Sequence, residues 1–359
     1  MKRVIQIIPS VGYGDAVGND CLAIAKALSA MGYKTGVYAK VIDKRIREGL
    51  VQDFSKLPRL SRDDVVILNH CTGSDLCESF KKMNGRKMMI YHNITPPRFF
   101  EGFSREMAEN LSEGYGQTRA LASAVEYCMP ISEFNASDLR NMGYTCPMFI
   151  RPVLIPFDDY KKSPDKSVMD KYGRDGFTNI LFVGRLVPNK KQEDVIKAFA
   201  YYQKNVNERS RLFLVGNDRG MEKYSSALKR YALALGCENV VFTGHTGFEE
   251  ILAYYRLADV FLCMSEHEGF CVPLVEAMFF DIPIIAYDSC AVPETLGGSG
   301  VLIKDKDPVF VSMLMDRLVR DKELREKIIE GQRERLKDFS YENVRARFEE
   351  GVRAFADKL

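Results

Sequence analysis

Short β-branched and aliphatic runs alternate along this chain with segments whose apolar residues recur every three or four positions. The run VIQII at 4–8 is followed by DCLAIAKALSAMGY, where Leu22, Ala25, Leu28 and Ala30 mark one face of a helix that closes at Gly32. Further strands are expected at 35–39 (TGVYA), 65–69 (VVILN), 87–91 (KMMIY) and 126–132 (EYCMPIS), with a polar helix over about 104–123. The alternation restarts with NILFVG at 179–184, then RLFLVG, NVVFTG, DVFLCM, PIIAY and GVLI, the last ending at 303. Strands that alternate with helices predict mostly parallel sheets covered by helices, an α/β chain. Three strands of the second set end at Gly, which allows a sharp turn or a close ligand approach at the carboxyl edge where such sheets bind.

Between these sets, VLIPFDDYKKSPDKSVMDKYGRDG clusters charges, prolines and glycines, the composition of a connector. The expected organisation is a first domain over 1–152, a connector over 153–176, a second domain over 177–338 and a terminal helix over 339–359. That helix has a cap at Ser340 and apolar residues at Val344, Phe348, Val352 and Phe355. A length of 359 residues with 46% apolar content supports two cores.

Charge narrows the partners. With 51 Lys plus Arg against 49 Asp plus Glu, the net charge of +2 gives no reason to expect nucleic acid. Nine cysteines without a CxxC pair suit reduced thiols rather than zinc, and imply a reducing, cytoplasmic compartment. The opening MKRVIQIIPS is broken at Gln6 and Pro9, so it is expected to be a strand rather than a signal segment. No stretch approaches the roughly 18 to 20 apolar residues of a membrane span, which leaves peripheral contact. Lys81, Lys82, Arg86 and Lys87 are the basic cluster that could meet anionic lipid. The acid pairs Asp63–Asp64 and Asp158–Asp159 read as solvated loop acids, and no DxD near a strand end offers a metal–diphosphate site.

Two stretches of the second half carry chemistry. FVGRLVPNKK places Arg185 just beyond a strand and Lys190 or Lys191 five or six residues on, so two cations can face one strand-end crevice. At an effective dielectric near 20, a charge pair about 4 Å apart is worth about 4 kcal/mol, enough for two cations to hold a diphosphate. SEHEGFCVPLVEAM follows the strand DVFLCM, with Glu268 in the loop, Pro273 at a helix start and Glu276 in its first turn. Amides of Gly269, Phe270, Cys271 and Val272 at that start favour an anion. Carboxylates beside phosphates need hydroxyl partners, which points to sugar or ribose. In the first half, PSVGYGDAVGND follows strand one with Gly12, Gly14 and Asp15, and IYHNITPPRFF places His92 beyond another strand end. The GxGxxxG spacing from Gly12 to Gly18 misses the dinucleotide fingerprint, against a dehydrogenase. A histidine at a position like that of His92 is more often a structural hydrogen-bonding group.

The stretches GRLVPNKK, FTGHTGFEEILAYYRLADV, DVFLCMSEHEGFCVPLVE and VPETLGGSGVLI, in this order, resemble the retaining family 4 glycosyltransferases. The resemblance covers nearly the whole chain. It implies a GT-B fold, two Rossmann-like domains facing each other across a cleft, with the terminal helix crossing back to the first domain. It implies that Glu276 holds the nucleotide ribose, Glu268 the donor sugar, and Arg185 and Lys190 the diphosphate. Gly14, with Gly12 beside it, would approach the donor through backbone amides, with Asp15 a loop acceptor near the same cleft; His92 would lie by the sugar, and the loop from Gly244 would help read the base. Lys191 departs from the family's Lys-Gly pair.

The activity so implied is transfer of a hexose from a nucleotide diphosphate sugar to a hydroxyl of a glycan or lipid-linked acceptor, with retention and without metal or other cofactor. GDP-mannose is favoured over a UDP-hexose, on the resemblance of YGDAVGND and YHNITPPRFF to polysaccharide mannosyltransferases. The expected place is the cytoplasm, at the inner face of the membrane. Two alternatives stand beside it: a nucleotide-sugar isomerase or epimerase on the same fold, and a non-catalytic nucleotide-sugar-binding protein. The motifs do not specify an oligomeric state.

Overall fold

The computed structural model describes residues 3–356, which fall into two compact units. The first comprises the chain up to 98, residues 106–156 and the segment from 339 onward; the second comprises 99–105 and 157–338.

In the first unit the elements run β1 (Arg3–Val11), α1 (Ala16–Ala30), β2 (Lys34–Ile42), β3 (Gln52–Asp53), β4 (Val65–His70), α2 (Leu76–Lys82), β5 (Arg86–Tyr91), α3 (Arg105–Leu121), β6 (Tyr127–Pro130) and α4 (Glu133–Asn141). The strands form a parallel sheet in the order β3-β2-β1-β4-β5-β6. Every residue of β4 is buried, as a strand covered on both faces requires. The centre of the buried stripe of α1 is Cys21, Ile24, Ala27 and Leu28; of the expected face Leu28 is buried, Leu22 and Ala25 pack at the core's margin, and Ala30 is exposed. Both sets have helical spacing; burial of Asp20 against Arg151 selects the first. Asp64 is also not a solvated acid: it is buried, pairs with Arg3, and accepts from the Ser61 amide at 2.7 Å.

The second unit contains α5 (Lys166–Tyr172), β7 (Thr178–Val183), α6 (Gln192–Asn205), β8 (Ser210–Val215), α7 (Glu222–Ala234), β9 (Val240–Gly244), α8 (Phe248–Leu257), β10 (Val260–Cys263), α9 (Val272–Phe279), β11 (Ile284–Tyr287), α10 (Val292–Leu296), β12 (Val301–Ile303), α11 (Pro308–Arg320) and α12 (Lys322–Asp338). Its parallel sheet has the order β12-β11-β10-β7-β8-β9. Part of the stretch expected as connector is structured: 157–161 forms a 3-10 turn and α5 follows, both within this unit. Tyr172, at the end of α5, packs edge-on to Phe213 at 5.1 Å, which explains why this charged stretch folds onto the sheet.

The last helix, α13 (Tyr341–Ala356), belongs to the first unit. Val344, Phe348, Val352 and Phe355 are buried. Phe355 stacks on Tyr127 at 5.2 Å and its carbonyl accepts from Arg86 at 2.6 Å. A Cβ at Gly351 would come within 2.6 Å of Met129, so the helix approaches the sheet closely where it has no side chain.

Candidate functional site

The second sheet has its switch point between β7 and β10: these strands are neighbours, while the chain runs outward from β7 to β8 and from β10 to β11. Ligands of open α/β sheets bind outside the strand carboxyl ends at such a point. The loop 184–191 leaves β7 there and the loop 264–271 leaves β10. Gly184 has φ 149, and a Cβ on it would crowd Lys190 Cδ at 3.3 Å, so its missing side chain makes room for the lysine stem. The two loops are tied together: the Glu266 amide donates to Asn189 O at 2.8 Å and Asn189 Nδ2 donates to His267 O at 2.9 Å.

Within this frame Lys190 Nζ lies 2.6 Å from Glu268 Oε1, with both side chains largely enclosed. Burial alone would lower the lysine pKa, but the Glu268 charge, the neighbouring thiol Cys271 and the hydrogen bond outweigh it and hold it above its ordinary value. Lys190 is therefore a charged ammonium. Lys191 adopts the left-handed conformation, φ 52 and ψ 47, which glycine reaches at least cost; the turn is kept although the residue is not Gly. Arg185 is exposed and donates to Arg219 O at 3.3 Å. Lys306 spans Asp194 and Glu266, each at 2.9 Å, and so anchors the β10 loop to α6.

Cys271 caps α9 with φ 70, and Pro273 is the second helical residue. The opening amides, at Val272 and its neighbours, have no acceptor within the helix's own ladder and make that end electropositive. Glu276 falls in the second turn of α9, not the first as its spacing from Pro273 implied, because the helix starts at Val272. Its two oxygens accept from Tyr160 and Tyr255. Burial raises its pKa, partly offset by the two phenols. Tyr255 is held in place by stacking on Phe280 at 5.0 Å. The phenols escaped the sequence reading: Tyr160 lies 116 residues from Glu276, beyond any local periodicity, and Tyr255 is visible only as part of FEEILAYY. Gly244 ends the edge strand β9, with φ 68 and open space where a Cβ would be; two strands intervene in the order between β9 and β10.

In the first unit, Gly12, Gly14 and Asp15 follow β1, beside β4 at that sheet's own switch point. Gly14 has φ 75 with nothing within 4 Å of a Cβ there. Asp15 caps α1 by accepting from the Gly18 amide at 3.1 Å, a structural task that its sequence position also explains. His92 is buried, with Nε2 at 3.5 Å from Asn69 Oδ1 and 3.8 Å from Asp20. Burial takes its pKa down to about 4 against the pull of Asp20, so the ring is neutral at pH 7. Asp20 accepts two bonds from Arg151, both at 2.7 Å, and one from the Leu154 amide. The basic cluster is engaged in the fold: Arg86 lies over the Phe355 ring, Lys87 donates to Met83 O and Lys81 pairs with Glu78. No helix among the described residues is long and apolar enough to cross a membrane.

Residues 167–335 match the family model for glycosyl transferases group 1. The O-antigen chain mannosyltransferase B of Escherichia coli is 24% identical over 266 residues, 72% of this chain and 68% of that protein. A GDP-mannose-dependent alpha-(1-6)-phosphatidylinositol monomannoside mannosyltransferase of Mycolicibacterium smegmatis is 29% identical over 182 residues, 47% of this chain and 46% of that protein. The matches span between 44% and 68% of the length of the first three curated relatives. Among solved structures, HepE of Anabaena in complex with UDP and glucose has a TM-score of 0.78 at 17% identity, over 98% of this chain and 100% of that one, a likeness of fold. With two parallel doubly wound sheets, the fold class is GT-B. Residues 167–335, which include the β7–β10 switch point, the Lys190–Glu268 pair and Glu276, therefore form a domain of the glycosyl transferases group 1 family, the family 4 glycosyltransferases.

Proposed function

We propose that the protein is a retaining, metal-independent hexosyltransferase that uses a nucleotide diphosphate sugar and a hydroxyl of a glycan or lipid-linked acceptor. The observation that carries this reading is the enclosed Lys190–Glu268 pair at the β7–β10 switch point, next to the N-terminus of α9. A charged ammonium and a helix N-terminus suit a diphosphate; a carboxylate beside them suits sugar hydroxyls. GDP-mannose is the favoured donor, supported by the names of the two mannosyltransferase relatives; a UDP-hexose comes next.

As the bond from the anomeric carbon to the phosphate oxygen breaks, negative charge grows on the leaving diphosphate. Lys190, Arg185 and the amides from 269 to 272 stabilise it where it develops. The acceptor oxygen bonds to the anomeric carbon on the same face, and its proton passes to the departing phosphate. Glu268 orients the sugar, exchanging part of its contact with Lys190 for hydroxyls. Glu276 accepts from the ribose: each of its oxygens has a second lone pair beyond the one used by its tyrosine. The first unit reads the acceptor, and the reaction is placed at the cytoplasmic face of the membrane, consistent with lipid-linked substrates in the relatives' names.

The test is product analysis with GDP-mannose and UDP-glucose, a hydroxyl-bearing glycan and excess chelator. Release of nucleoside diphosphate together with an α-linked product supports the reading. An altered sugar formed without acceptor identifies an isomerase instead, and tight donor binding without turnover identifies a binding protein.

A further inference from the structure

The fold brings together two cysteines that lie eight residues apart in the chain. Cys263 ends β10 and Cys271 caps α9. Their Sγ atoms and a carboxylate oxygen of Glu268 lie within 4.8 Å of one another, and all three residues are buried. The local turn does not call for a thiol. Cys271 sits at φ 70, where a side chain is strained by roughly 1 kcal/mol or more and glycine is at ease. A side chain kept at such a position points to a task for it.

The surroundings suit sulfur as a ligand. Cys271 stands at the N-terminus of α9, beside the Lys190–Glu268 pair. Two sulfurs and one carboxylate oxygen form the mixed donor set that zinc-class cations accept, with a fourth tetrahedral position for water.

We propose that Cys263, Cys271 and Glu268 form a binding site for a thiophilic divalent cation of the zinc class, and that the bound cation takes Glu268 from Lys190. Coordination releases the thiol protons to solvent. It also sets a second cation against Lys190 Nζ, which now lies 2.6 Å from Glu268 Oε1, so the two compete for one carboxylate. On the donor reading above, on which this consequence rests, the cation inhibits transfer by disturbing both the diphosphate contact and the sugar contact. It is not a cofactor of the reaction.

Cadmium, a spectroscopic probe for zinc-class sites, is titrated into the reduced full-length chain without donor, and the ultraviolet thiolate-to-cadmium charge-transfer band is read. One cadmium per chain with the intensity of two thiolates is expected, displaceable by zinc. Cys263→Ser, Cys271→Gly and Glu268→Gln should each weaken binding at least about tenfold, and Lys190→Met should tighten it by about tenfold. Cys271→Gly removes a ligand while relieving the backbone, so its effect is not one of unfolding. Cys128 and Cys146, with Sγ atoms 3.5 Å apart, are the rival thiol pair. A band that survives Cys263→Ser and Cys271→Gly but falls in Cys146→Ser overturns the proposal, as does weaker binding in Lys190→Met. The band is read without donor, so failure of the transferase reading leaves this result standing, and the reverse also holds.

Discussion

Lys190→Met would leave Glu268, 8% exposed, as an enclosed carboxylate without its cation. At 2.6 Å and an effective dielectric near 20, the pair's Coulomb attraction is about 6 kcal/mol, against which the desolvation of both ions must be set. Breaking such a pair from one side costs about 3–5 kcal/mol, because the partner stays buried and uncompensated. Glu268→Gln should cost a similar amount from the other side. The double variant removes both charges and should lie within about 2 kcal/mol of the parent, giving a coupling of at least about 3 kcal/mol. The chain contains no tryptophan, so urea unfolding is followed by circular dichroism and tyrosine fluorescence, with chelator present. The chain has two compact units, so each transition is fitted separately. Single variants that cost less than about 1 kcal/mol, as an exposed pair would, refute the reasoning. So does a double variant as unstable as the sum of the singles.

Asp20→Asn should cost about 3–5 kcal/mol in the first unit, read by the same unfolding assay, since it leaves the fully buried Arg151 without its carboxylate. Burial would raise the Asp20 pKa, but the charge and hydrogen bonds of Arg151 outweigh it and hold it below the usual range. The stabilisation is thus complete above the ordinary carboxylate pKa and lost as pH falls through the folded value. His70 and His92 both titrate near 4 because they are buried. Unfolded imidazoles bind protons below about 6.5 and the folded ones do not, so stability declines from there toward pH 4; ring-proton NMR should show both neutral at pH 6. Gly216→Ala should destabilise strongly, since its Cβ would fall 2.0 Å from Gly184 O. Gly236→Ala, with φ 68 but open space, should cost only about 1 kcal/mol, and equal losses in the two would count against the packing described.

Most of the strands were legible because each buried parallel strand is a short, nearly unbroken aliphatic run, as in VVILN and RLFLV. Arg185, Lys190 and Glu268 were legible for a related reason, since each lies in the loop that follows a strand end, and Glu276 was legible from the helix start that comes next. What was not legible depends on distance along the chain. Asp20 and Arg151 meet across 131 residues, and Tyr160 reaches Glu276 across 116, with no local signal for either. Asp64 looked like half of a solvated acid pair because its partner Arg3 is remote in sequence. Cys263 and Cys271 fit no short metal spacing; a strand end followed by a helix start was the one hint that they could meet. The stretch 157–176 was hidden by its composition, since Tyr160 and Tyr172 anchor it through rings rather than through an apolar periodicity. The face of α1 was only partly legible because two helical stripes of similar apolarity share the segment: Leu28 lies in both, while Ala30 turns out to solvent.

The claim that Lys190 holds the leaving diphosphate is tested most directly by calorimetric titration of GDP, UDP and their monophosphates against the parent and Lys190→Met. The account predicts that the preferred diphosphate binds the parent more tightly than its monophosphate. It also predicts that Lys190→Met weakens the diphosphate by roughly 10- to 100-fold, the loss of a charged hydrogen bond, while the monophosphate changes much less. Diphosphate binding that is the same in Lys190→Met as in the parent would contradict it.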